Sequence, residues 1–254
     1  MATAAAACGD QSSSGGGSGG TTTTTRLLFV RHGKQVGSAN RPLARDKWDP
    51  CLAQKGQRQA ELLAAHLTAS GLGNHEAKGV LCVSSPMRRA LMTAAPSAAA
   101  LGCPLVCNGS LYEYGCAGLE RPGTTPALLQ ADWPGLHCVS FSASQHWDYV
   151  GGSAAETEAE TRLRGARFLS WLDALLRGSD GLPTPTTVIF YAHQTFLDLL
   201  LRMLVDGPGA AAGWGYSQGK QHRFAHTAVA ELAPAEAGKW RLVRENDCTH
   251  LDHE

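Results

Sequence analysis

The 254-residue sequence has no excess of either charge, with 22 Lys and Arg against 22 Asp and Glu. It has no basic patch and no interleaving of basic and aromatic residues, so no nucleic-acid partner is expected. No apolar run reaches the roughly 18 residues that a membrane-spanning helix needs, so no membrane partner is expected either. Metal-binding spacings are also missing. The eight cysteines are scattered. The nearest two, Cys103 and Cys107, lack the second pair that a zinc site would use. His222 and His226 are separated by three residues, but Arg223 stands where a zinc protease needs Glu. We therefore expect no metal and no other cofactor. The thiols read as buried and free in a reducing compartment. No internal repeat is visible.

Two shortages are local. Residues 1–25 contain no Lys or Arg, and all but Met1, Cys8, Asp10 and Gln11 are Ala, Gly, Ser or Thr. Such a segment cannot bury enough apolar surface to fold, so a flexible low-complexity tail is expected. A Ser- and Thr-rich, acid-poor tail also fits a plastid transit peptide, although the basic residues of one are absent. The expected location is cytoplasmic, with a plastid as the alternative. The second shortage lies between Ala90 and Thr161, where Arg121 is the only Lys or Arg.

What remains, residues 26–254, suits one domain in length. Apolar runs and amphipathic stretches alternate along it. Strands are expected at 26–30, 79–83 and 186–192, and a final strand pair at 228–232 and 240–243. Helices are expected at 53–67, 86–100 and 196–204. A further helix would start at a capping box of Ser153 and Glu156 and run to Leu176, burying Leu163, Phe168, Leu169, Leu172 and Leu176. Ser85 and Pro86 read as the N-cap and first position of the second helix. The expected fold class is α/β: a single-domain three-layer α/β/α sandwich with a mostly parallel central sheet. The active site would lie at the carboxyl ends of the strands.

Three of those strand ends carry chemistry. The first delivers Arg31-His32-Gly33. Arg offers a planar fork of donors suited to phosphate, and His can act as a nucleophile near neutral pH. The second runs into Ser85-Pro86-Met87-Arg88-Arg89-Ala90, a helix start whose free N–H groups favour an anion. Cations in that first turn oppose the helix dipole, which implies an anionic ligand. The third ends at His193.

With these motifs in this order, the chain resembles the histidine phosphatase superfamily, the phosphoglycerate-mutase-like clan, in its mutase and phosphatase branch. The resemblance runs over about residues 26–251. It rests also on Leu52 to Ala60 with Gly56 and Gln59, on Leu111-Tyr112-Glu113, and on the closing Asn246-Asp247-Cys248-Thr249-His250-Leu251. The acid phosphatase and phytase branch is disfavoured, because Gln35 stands where it wants Arg. The resemblance implies His32 as the nucleophile that becomes a phosphohistidine. It implies Arg31, Arg89 and His193 around the phosphoryl oxygens, and Glu113 as general acid and base. Arg88 is expected to be solvated or a secondary substrate contact. Asn40 and Gln194 are further candidates for substrate binding. The chain departs from the family pattern at Lys34, where mutases carry Glu or Gln, and at Gln194, where Gly is usual.

The segment of about 114–152 is expected to be a loop-rich insert over the pocket, with Trp133, Phe141, Trp147 and Tyr149 either gripping substrate or packing. Its one cation, Arg121, cannot pair the extra anionic groups of a bisphosphorylated substrate. The expected function is therefore metal-independent phosphomonoester hydrolysis. A phosphoglycerate-type mutase and a non-catalytic phospho-ligand-binding or scaffold protein are the alternatives. The expected partner is a phosphorylated small molecule, or else a phosphoprotein. The oligomeric state is left open.

Overall fold

A computed structural model describes residues 25–37, 48–72, 79–119, 121, 123–142, 146–179 and 181–252. Seven strands form one mixed sheet. They are β1 (Arg26–Arg31), β2 (Val80–Ser84), β3 (Leu105–Asn108), β4 (His137–Val139), β5 (Thr187–Ala192), β6 (Val229–Pro234) and β7 (Trp240–Asp247). Their spatial order is β4-β3-β2-β5-β1-β6-β7. The first five in that order run parallel, and β6 and β7 join β1 as an antiparallel edge. Among the described residues, five α-helices pack on the sheet: α1 (Gln54–Leu67), α2 (Arg88–Leu101), α3 (Pro126–Asp132), α4 (Glu158–Leu176) and α5 (Gln194–Val205). None of these is long and apolar enough to cross a membrane.

The three layers follow from the two-residue period of a strand. Leu27 and Phe29 of β1 face one side, with Val188 and Phe190 of β5, and meet Phe168 and Leu172 of α4 and Phe196 and Leu200 of α5. Leu28 and Val30 face the other side, with Ile189 and Tyr191, and meet Leu63 and Leu67 of α1 and Ala94 and Ala98 of α2. Both faces are covered, so the central strands are apolar throughout, as parallel strands usually are.

Several local expectations needed correction. The helix after β2 starts at Arg88, with Met87 as N-cap, rather than at Pro86. Ser85 still accepts the Met87 amide through Oγ. The capping box of α4 is Thr157 with Glu160, not Ser153 with Glu156. Leu163 is 64% exposed, and the buried face of α4 runs through Thr161, Arg164, Gly165, Phe168, Leu172 and Leu175. The cause is Arg164, which takes an inward position and turns Leu163 to solvent. Strands β3 and β4 were not expected. Both are short, and β4 is only three residues long. Within 114–152, α3 and β4 extend the layers. Trp147 is buried, stacked on Tyr112 and packed with Met87 and Ala117.

Candidate active site

Parallel strands present their carboxyl ends on one edge, and here three of those ends converge. Arg31 lies beside Ala192, and Ser84 beside Tyr191. His32, His193 and Ser85 therefore follow side by side. The His32 amide donates to the Ala192 carbonyl at 3.0 Å, and the Ser85 amide to the Tyr191 carbonyl at 2.9 Å. The rings of His32 and His193 lie 5.1 Å apart between centroids.

The state of His32 follows from its bonds. Its Nδ1 is 2.7 Å from the Gly33 carbonyl. A carbonyl only accepts, so Nδ1 carries the ring proton. Nε2 then presents its lone pair, which accepts from Arg89 Nε at 3.2 Å. Burial, with the charges of Arg89 and Arg31, holds this imidazole well below its usual pKa. The ring is neutral and nucleophilic at Nε2.

The second imidazole, His193, is fully buried and shifted downward by burial and by Arg89. Its Nε2 lies 2.8 Å from Ser85 Oγ. The Ser85 hydroxyl already accepts from Met87, so its own proton is available for that nitrogen. A neutral ring then holds its proton on Nδ1, which has no hydrogen-bond partner. Arg31 Nε is likewise buried without a partner, while its Nη1 donates to the Phe224 carbonyl at 2.7 Å. Burial lowers the Arg31 pKa, and the nearby Glu113 charge opposes that shift. Unpartnered buried donors are costly unless an acceptor reaches them. These two donors belong to side chains that, with Arg89, act on the His32 ring, an arrangement suited to an anion with several oxygens.

The backbone around this cluster is tightly braced. Gly33 donates its amide to Thr93 Oγ1 at 3.0 Å, and that hydroxyl donates to the Arg89 carbonyl at 2.7 Å. A Cβ on Gly33 would lie 2.6 Å from the Gly56 carbonyl oxygen, and one on Gly56 only 2.1 Å from that of Lys34. Both positions thus require glycine. Gln59 accepts the Lys34 amide through Oε1 at 3.0 Å. The motif from Leu52 to Ala60 is therefore a clamp on the chain that leaves His32.

Glu113 sits at the start of α5. Its carboxylate accepts the amides of Thr195, Phe196 and Tyr114 at 3.2, 3.1 and 2.9 Å. The chain reaching it is held by Arg164, which is completely buried. Arg164 forms a bidentate ion pair with Glu156, with hydrogen bonds of 2.7 and 2.8 Å. It also donates to the Ser110 and Tyr112 carbonyls at 2.6 and 2.9 Å. Its guanidinium lies over the rings of Tyr112 and Phe196. Burial pushes the Tyr112 hydroxyl pKa upward, so it stays protonated and donates to Glu156 at 2.9 Å.

Among the other expected residues, Gln194 has both ends of its amide on backbone. Its Nε2 donates to the His222 carbonyl at 2.9 Å and its Oε1 accepts the Phe224 amide at 2.7 Å. This bracket holds the loop whose Phe224 carbonyl anchors Arg31. Asn40 lies outside the described residues. Arg88 donates its amide to Asp49 Oδ1 at 2.9 Å. Arg121 lies 3.5 Å over the Trp48 ring and donates to the Gly115 carbonyl.

Sequence reasoning missed four contributors. Asp49 is buried at the start of α2, with Oδ1 4.0 Å from Arg89 Nη1. Cys116 lies close enough to Arg89 for that cation to act on its thiol. His226 packs against His32, with ring centroids 5.7 Å apart. The Glu156–Arg164 pair was also missed, yet a signal existed: Arg164 falls at helical spacing with Thr161, Phe168 and Leu172. Among the described residues, no three His, Cys, Asp or Glu side chains gather as a metal ion would need.

Known proteins resemble this chain in sequence or in fold. The bifunctional protein Rv2228c of Mycobacterium tuberculosis is 29% identical over 221 residues, 87% of this chain and 54% of that protein. The uncharacterized protein Mb2253c of Mycobacterium bovis matches to the same extent. This chain spans about half the length of these curated relatives. A mycobacterial glucosyl-3-phosphoglycerate phosphatase, Rv2419c, solved with VO3, has a TM-score of 0.53 and 23% identity, covering 87% of this chain and 99% of that one. A putative alpha-ribazole-5'-P phosphatase from Escherichia coli has a TM-score of 0.56 and 18% identity, covering 88% and 97%. At these identities the two structures share the fold. The model of the histidine phosphatase superfamily (branch 1) matches residues 27–248, and the chain belongs to that superfamily.

Proposed function

We propose that this protein is a metal-independent phosphomonoester hydrolase working through a phosphohistidine on His32. The observation that carries this reading is the Nε2 lone pair of His32, set among Arg89, Arg31 and the unpartnered Nδ1 of His193. In the first step Nε2 attacks phosphorus, the ester P–O bond breaks, and the leaving oxygen takes a proton from Glu113. In the second, water attacks the phosphohistidine, the P–N bond breaks, and the water's proton passes to Glu113. The three in-flight oxygens spread negative charge, so positioned cations do most of the work. Splitting one displacement into two eases each.

The substrate is a phosphorylated small molecule whose leaving part carries no further strong anion. Arg121, the only cation of the 114–152 segment, is already engaged with Trp48 and Gly115. That disfavours a mutase handling two phosphoryl groups. Two related folds carry the names of phosphatases of phosphorylated small molecules, which supports the small-molecule class. The test is para-nitrophenyl phosphate hydrolysis in EDTA, wild type beside His32→Ala. Wild-type turnover is expected, with a loss of at least about a thousandfold in the variant at unchanged melting temperature. Comparable rates for the two proteins would refute His32 as nucleophile.

A further inference from the structure

One imidazole beside the nucleophile has no part in the scheme above. His226 lies on the loop between α5 and β6, and its ring faces His32 at 5.7 Å with 50° between planes. Its Nδ1 is 3.1 Å from the His32 carbonyl oxygen, so Nδ1 is the protonated nitrogen. The remaining nitrogen, Nε2, has no partner among the described residues, and the side chain is half-buried.

The ring is held there at a cost in backbone strain. Thr227, the next residue, is β-branched yet has φ of 58°. Such a conformation persists only where surrounding bonds over-determine it, and it concentrates at functional sites. Here the Thr227 amide donates to the Arg31 carbonyl at 3.0 Å, and its hydroxyl donates to the His226 carbonyl at 2.7 Å. His250 Nε2 lies 2.9 Å from the same hydroxyl, and Asn246 Oδ1 accepts the Ala225 amide at 2.7 Å. The closing segment Asn246–Leu251 thus braces the turn that carries His226.

We propose that His226 is a substrate-recognition residue, whose Nε2 accepts a hydrogen bond from a hydroxyl on the carbon skeleton next to the transferred phosphoryl group. The substrate class is then the phosphate monoesters of polyols. This rests on the phosphatase reading and narrows it. Burial and the charges of Arg31 and Lys34 keep the ring below its usual pKa, so Nε2 stays an acceptor at neutral pH. An acceptor at that place welcomes a hydroxyl and gives nothing to an alkyl chain.

The experiment compares glycerol 3-phosphate with propyl phosphate, which lacks the hydroxyls, in wild type, His226→Phe and His226→Gln. Wild type is expected to favour glycerol 3-phosphate by about tenfold or more in kcat/KM. His226→Phe keeps the ring's bulk but removes both ring nitrogens, and should bring that ratio to about one, with glycerol 3-phosphate losing more than propyl phosphate. His226→Gln restores a side-chain acceptor and should recover part of the preference. Equal losses on both substrates would reduce His226 to a structural prop and overturn the inference. A wild type that turns over para-nitrophenyl phosphate without preferring the hydroxylated ester would overturn it too, with the phosphatase reading intact. No turnover of any monoester would overturn both.

Discussion

The floor of the pocket and its rim are built by different means. On the floor, His32 and His193 each follow directly from a parallel strand, and the His32 amide is tied to the neighbouring strand through the Ala192 carbonyl. On the rim, Glu113, Phe224 and His226 stand on irregular chain. Each is held by side chains from distant segments: Arg164, Gln194, Asn246 and His250. Floor geometry comes with the sheet itself, so it survives as long as the fold does. Rim geometry rests on single side chains, any of which can be removed while the sheet remains. On the proposed phosphatase reading, the floor holds the nucleophile and the groups around the phosphoryl oxygens, and the rim can differ with the leaving group.

This contrast can be broken most severely at Arg164. Arg164→Met leaves Glu156 as a buried charge without its partner, which should cost about 3–5 kcal/mol in denaturant unfolding. Adding Glu156→Gln should recover part of that loss. Full stability in the single variant would mean that the pair does not brace the 110–113 segment. Next in size is Glu113→Gln. An alkyl phosphate needs its leaving oxygen protonated, so kcat should fall by about a hundredfold or more, while para-nitrophenyl phosphate is nearly spared. Equal losses on both would place the acid elsewhere.

The floor has its own signature in pH. His32 and His193 are held well below the ordinary imidazole pKa, chiefly by burial. Below about pH 6.5 the unfolded chain binds protons there that the folded chain refuses, so stability falls as pH drops. Each such imidazole removes up to about 1.4 kcal/mol per pH unit within that window. Denaturant midpoints at pH 7.5 and 5.5 should therefore differ less in His193→Gln than in wild type. An identical slope would mean that His193 titrates normally in the fold. The smallest effect is expected at Gln194→Ala, which frees the 222–224 loop and with it the Phe224 carbonyl on Arg31. KM should rise about threefold to tenfold with kcat little changed. A collapse in kcat instead would give Gln194 a role in the chemistry.

The floor was legible from residues alone, and the rim was not. Arg31, His32 and His193 sit at the ends of apolar runs, and a parallel sheet has only one edge for such ends. The stripe of Ala60, Leu63, Ala64 and Leu67 was equally clear and is buried throughout. On α4 the apolar residues misled. Leu163 looked like core, but a fully paired cation took the inward position, and helical periodicity alone does not distinguish the two. Glu156 read as part of a capping box because its spacing from Ser153 fits, whereas the true cap begins four residues later at Thr157. Strands β3 and β4 are too short to leave a periodic trace, and their place comes from pairing with β2 and with each other.

The sequence by itself determined the alternation of strands and helices, and the cationic and imidazole residues at the strand ends. These are local properties of period and composition. Only the tertiary structure decided that Gln194 grips a loop, that Arg164 supports the segment before Glu113, and that His226 stands against His32. The partners in those contacts lie 28 to 194 positions apart in the chain. No local pattern encodes such pairings, because they exist only once the sheet has brought its edges together.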